Sequence, residues 1–172
     1  GRTLVKLAQG ALPHRLTGTV RAFCQAAAAA QERQQVRQDL LALLEPGEHA
    51  RALARLPVAG PTRRMLDAML RNTCAPTVVE GGVKRNVIPA AATIQLSGRP
   101  LPGVDEKSFM GEVQDLLGPD TELRAEAFRP GLEFDHRSEL FAHAEAALES
   151  HARGAALVPY MQTGGTDARF LG

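Results

Sequence analysis

The sequence predicts an α+β fold, in which an antiparallel sheet carries helices on one face and is followed by a fragment of a parallel α/β unit. Three observations carry this expectation. Apolar residues recur at helical spacing through most of the first 70 residues, alternation replaces that spacing from Thr73, and a helical stripe returns at Val104.

Leu4, Leu7, Ala8 and Ala11 form the first stripe, which Pro13 ends because proline cannot continue the helical ladder. A second helix is expected to start at Thr17 or Thr19, to run through Val20, Phe23 and Ala26 to Ala30, and to continue by Val36, Leu40, Leu41 and Leu44. Pro46-Gly47 breaks it. Two short helices follow, Glu48 to Leu56 and Pro61 to Leu70, the latter with proline at a favourable first-turn position. The polar run "QERQQVRQD" reads as a solvated face.

Thr77 to Glu80 reads as a strand, and Gly81-Gly82 permits backbone angles closed to other residues. Asn86 is expected to open the next extended stretch, since Val87-Ile88 precedes Pro89 and is pushed out of the helical region. Ala92 to Leu96 is the following strand, an antiparallel neighbour of the first. Leu101-Pro102-Gly103 then turns the chain into a helix from about Asp105 to Leu117, with Val104, Phe109, Val113, Leu116 and Leu117 buried. Gly118-Pro119-Asp120 stops that helix, and Thr121 to Phe128 reads as a strand. A boundary is expected near Arg129-Pro130-Gly131. Beyond it come a helix capped by Asp135, an apolar strand from Ala155 to Tyr160, a Gly164-Gly165-Thr166-Asp167 turn and a new helical start.

Composition narrows the function classes. Twenty Lys+Arg balance nineteen Asp+Glu, the basic residues are scattered, and aromatics are 4% with no Trp, which argues against a nucleic-acid partner. No apolar run nears the roughly 18 residues of a membrane helix, and the amino end lacks signal-peptide order, so a cytoplasmic protein without a membrane partner is expected. The start at Gly1 and the stop at Gly172 read as those of a piece of a longer protein. Cys24 and Cys74 have no CxxC neighbour and read as reduced packing residues, with a disulfide as the alternative.

No metal set is visible. The five histidines form no HxD or HExxH pattern, and His143 and His151, eight apart on one helix, are separated by about 12 Å. There is no GxSxG nucleophile elbow and no phosphate loop. What stands out is polar chemistry at element ends. Asn86, Arg99 and the Gly164-Gly165-Thr166 turn offer an amide, a guanidinium fork and free backbone N–H groups, the groups that hold a carboxylate or an oxyanion. A plain structural reading, with Asn86 capping a turn, Arg99 solvated and Asp167 capping a helix, fits the same residues.

With these motifs in view, the chain resembles the zinc metallopeptidase and aminoacylase family that includes carboxypeptidase S, acetylornithine deacetylase, succinyl-diaminopimelate desuccinylase and glutamate carboxypeptidase. The resemblance lies in "TCAPTVVEGGVKRNVIPAAATIQLSGRPLPG", Thr73 to Gly103, and in "VPYMQTGGTDARF", Val158 to Phe170. It implies that residues 1–129 are a lid or dimerisation domain with a helical insertion about 13–72, and that 130–172 are part of an α/β catalytic domain. Asn86, Arg99, Gly164, Gly165 and Thr166 would then bind a small-molecule or peptide substrate, an N-acyl amino acid or small peptide amide, and the lid sheet would join two copies in a homodimer. Two zinc ions are implied for the complete protein and none for this chain, because the HxD, bridging Asp, paired Glu and final His have no counterpart in it. It also departs at Ser97, where the family often has Asp. A fragment inactive alone is therefore expected, with a non-catalytic dimerisation module as the alternative.

Overall fold

The computed structural model describes residues 2–167. The chain divides into two compact units, one of residues 1–13 and 71–131, the other of residues 14–70 and 132–172.

The first unit contains α1 (Arg2–Gln9), β1 (Thr73–Gly81), β2 (Ala92–Arg99) and α6 (Glu106–Leu117), the helices between α1 and β1 belonging to the second unit. β1 and β2 pair antiparallel, from Thr73 opposite Arg99 to Gly81 opposite Ala92. Pro76 has no N–H for the ladder, and the register shifts between Pro76 and Val78, where the Thr77 hydroxyl donates to the Gln95 carbonyl. Alternation on β2 puts Ile94, Leu96 and Gly98 on one face, and Ile94 and Leu96 are half-buried there. α6 covers the inner end of that face. Asp105 caps it by accepting from the Ser108 N–H at 2.7 Å, and Phe109, Val113 and Leu117 point into the core with Leu7, Leu12, Leu101 and Val104. α1 packs on α6, with Lys6 Nζ donating to the Leu117 carbonyl at the helix end, where a cation is favoured. Gly118 leaves the helix at φ +85, a conformation that suits glycine.

The second unit contains α2 (Gly18–Ala29), α3 (Gln34–Ala42), α4 (His49–Arg55), α5 (Gly60–Met69) and α7 (Glu139–His151). Successive helices from α2 to α5 pack on one another, around Val20, Cys24, Ala28, Leu43, Leu53 and Met69. Thr17 Oγ1 caps α2 by accepting from the Val20 N–H at 3.2 Å. Arg63 donates to the carbonyls of Leu53, Leu56 and Val58, satisfying acceptors that the end of α4 would leave open. Asp39 is 2% exposed and is held by Arg55 Nε at 2.6 Å and by Gln35 Nε2 at 3.3 Å. The rings of His14 and His49 stack at 4.0 Å. Segment 132–167 joins these helices through Glu133, which accepts from the Thr19 N–H, and through Tyr160, whose ring meets Phe23 edge-on at 6.0 Å.

Several expected elements differ from the observed ones. The long helix from Thr17 to Leu44 is two helices, because folding back at residues 30–33 lets the two apolar stripes bury each other. β2 begins at Ala92, so Val87 and Ile88 lie in an exposed connection; the ladder ends where Gly82 turns away at φ +78. Residues 121–128 form no strand. They find no ladder partner among the described residues, Gln114 Nε2 donates to the Thr121 carbonyl, and an isolated bridge joins Pro102 and Gly131. Residues 155–160 are likewise not a strand, since no parallel neighbour lies beside them among the described residues. Ser138, not Asp135, caps α7; Asp135 accepts instead from the Arg137 N–H, which lowers its pKa. The helical start after Asp167 and Phe170 of the second motif lie outside the described residues.

Candidate functional site

Arg99 closes β2 opposite Thr73, and the residues on either side of it are held. The preceding Gly98 lies against the Phe109 ring, and a Cβ at that position would stand 2.6 Å from Phe109 Cζ. Two residues beyond Arg99, the Leu101 N–H donates to Asn72 Oδ1 at 2.7 Å, and Asn72 Nδ2 donates in turn to Glu112 Oε2 at 2.7 Å. Asn72 is 1% exposed, so the bond from Leu101 forms away from water, while the bond to the half-buried Glu112 is partly buried. Arg99 itself is exposed. An exposed arginine is thus carried at a strand end whose flanking residues are held in place, and a guanidinium is the group that pairs with a carboxylate in a bidentate fork.

Asn86 sits elsewhere in the same unit. It lies in the connection 82–91, every residue of which is exposed, at the end of the hairpin remote from Arg99. The seven steps from Ala92 to Arg99 span about 24 Å at the usual strand rise. Asn86 and Arg99 thus stand at opposite ends of the hairpin. The nearest order around Asn86 is a turn in which the Val87 N–H reaches the Lys84 carbonyl at 3.3 Å.

Gly164, Gly165 and Thr166 belong to the second unit, after the buried Met161. The turn is open: a Cβ on Gly165 would meet nothing within 4 Å, and Thr166 is exposed.

Neither cysteine is built for nucleophilic chemistry. Burial pushes the Cys24 thiol up to about 11 and also raises Cys74, which faces Gly98 across the ladder. Both are free, Cys24 buried and Cys74 half-buried. Among the described residues no group of three or more His, Cys, Asp or Glu side chains is placed to hold a metal ion, so the residues present do not fit a zinc centre. No described helix is long and apolar enough to cross a membrane.

Asn72 and Glu112 carry no signal in the sequence that would single them out. An asparagine between a helix end and a strand looks like any turn residue, and only its burial reveals the bridge.

Comparison with known proteins gives one match. The profile of a family described as a peptidase dimerisation domain matches residues 8–124, which is most of the chain. No curated protein and no solved structure matches it.

Proposed function

The chain belongs to the M20 peptidase dimerisation-domain family, and on that premise we propose that it serves as the lid and dimerisation portion of a metal-dependent hydrolase acting on an N-acyl amino acid or small peptide. The observation that carries this reading is Arg99, an exposed residue whose neighbours Gly98 and Leu101 are held by Phe109 and Asn72. A bidentate fork held this way binds a carboxylate with little loss of conformational freedom.

In this reading residues 1–129 are the lid, residues of about 13–72 are its helical insertion, and 130–172 lead into an α/β catalytic domain. Arg99 takes the substrate carboxylate. Thr166 and the N–H groups of Gly164 and Gly165 contact the substrate from their own unit, and Asn86 acts at the projecting hairpin tip, apart from the ligand held by Arg99. The metal ions and the groups that activate water are supplied outside the described residues, and the residues of this chain orient the substrate. A homodimer forms through the sheet, whose outer half leaves Val78 and Val79 exposed on β1.

The test uses the complete gene product supplied with zinc, assayed on N-acetyl amino acids and dipeptides. Hydrolysis that needs the metal supports the reading; no turnover of any of them contradicts it. The second reading, a dimerisation module without chemistry, rests on the same exposed sheet. Sedimentation equilibrium separates the two, because a dimer with no hydrolytic activity favours the module.

A further inference from the structure

Resting on the reading of Arg99 as the carboxylate anchor, we propose that Asn72 is a positioning residue for substrate binding, setting Arg99 through a buried bridge between Glu112 and the backbone on both sides of the arginine.

Asn72 acts on both flanks of Arg99. The residue after it, Thr73, is the ladder partner of Arg99, and the N–H it accepts belongs to Leu101, two residues past the arginine. Pro100 and Pro102 have no N–H, so Leu101 supplies the one backbone donor of the segment 100–102. Its bond to Asn72 Oδ1 therefore determines how the chain leaves β2. At the other end of the amide, Nδ2 reaches Glu112 on α6, one turn from Phe109, which itself presses on Gly98. One helix thus holds the arginine's strand twice, by an aromatic ring before Arg99 and by the Glu112–Asn72 bridge after it. An apolar side chain could fill the space of Asn72, but it could not bind an N–H and a carboxylate together. Asn72 is 1% exposed and its bond from Leu101 is buried, so an unmet partner there costs more than it would at the surface.

The experiment compares variants in the complete, zinc-supplied protein, with N-acetyl-L-alanine as substrate and L-alanine as a competing carboxylate. Asn72→Asp keeps shape and the acceptor for Leu101 but sets a carboxylate against Glu112. Adding Glu112→Gln restores the bridge with donor and acceptor exchanged. Arg99→Ala is the reference and should raise KM about tenfold or more. Asn72→Asp should raise KM and the L-alanine inhibition constant about fivefold or more with kcat within about twofold, and the double variant should return both to within about twofold of wild type. Leu117→Ala, a core truncation in the same unit, should lower Tm without moving KM.

An unchanged KM in Asn72→Asp beside a raised KM in Arg99→Ala overturns the proposal, as does a double variant no better than the single one. An unchanged KM in Arg99→Ala is a different failure, that of the carboxylate reading itself. Should Asn72→Asp not fold, Glu112→Leu removes the same bridge from the other side, and a wild-type KM there also overturns the proposal.

Discussion

Gly98 and Phe109 meet so closely that residue 98 has no room for a side chain, with two atoms of the Phe109 ring within 2.7 Å of where a Cβ would stand. Because the contact joins β2 to the core helix α6, Gly98→Ala must displace the ring or the strand. A loss of about 1–3 kcal/mol is expected from overpacking, measured by urea denaturation. Wild-type stability would show that the ring yields freely.

The buried carboxylate of Asp39 makes a second prediction. Arg55→Ala leaves Asp39 with Gln35 alone, and the expected loss is about 1–2 kcal/mol, reduced from the cost of a fully buried pair because Arg55 is 47% exposed. The arrangement predicts that Asp39→Asn combined with Arg55→Ala recovers part of it, as read by Tm.

Cys24 predicts a dependence on pH. Its thiol rises from an ordinary 9.0 to about 11 on folding, so the folded state holds the proton more tightly than the unfolded one. The stability is fully present below pH 9 and is lost as pH rises through about 11. A shift of this size corresponds to roughly 2–3 kcal/mol. Denaturation at pH 8 and pH 11 should therefore show a smaller loss of stability in Cys24→Ala than in the parent, and equal losses would argue against thiol titration.

Gly165 predicts tolerance. Its Cβ direction is open and its φ is not positive, so Gly165→Ala should change stability by no more than about 0.5 kcal/mol. If the turn contacts substrate, the same variant changes KM while Tm stays put.

Much of the architecture was legible in the sequence. Pro13, Thr17, Pro46-Gly47, Pro61 and Asp105 mark element ends through backbone chemistry that acts within a few residues, and the observed helices respect each of them. The strands were harder. Thr121 to Phe128 alternates like a strand, yet alternation states only that a segment would suit a sheet, and no partner strand lies beside it among the described residues. The break at residues 30–33 was hidden for a similar reason: both flanking stretches favour helix, and only their mutual burial decides that the chain folds back. At the candidate site, the type of Arg99 and its place at a strand end were readable. Asn72, Glu112 and the Phe109 contact were not, because all three depend on pairings across 11 to 40 residues. The placement of Asn86 and Arg99 at opposite ends of the hairpin follows from the register, which no local pattern discloses.

The role proposed for Arg99, holding a substrate carboxylate, is tested most directly by the ratio of kcat/KM for N-acetyl-L-alanine to that for N-acetyl-L-alanine amide, measured in the complete protein and in Arg99→Ala. The parent should prefer the free carboxylate by roughly tenfold to a hundredfold, the worth of one charged hydrogen-bonded contact, and Arg99→Ala should abolish the preference. The same preference in both proteins would contradict that role.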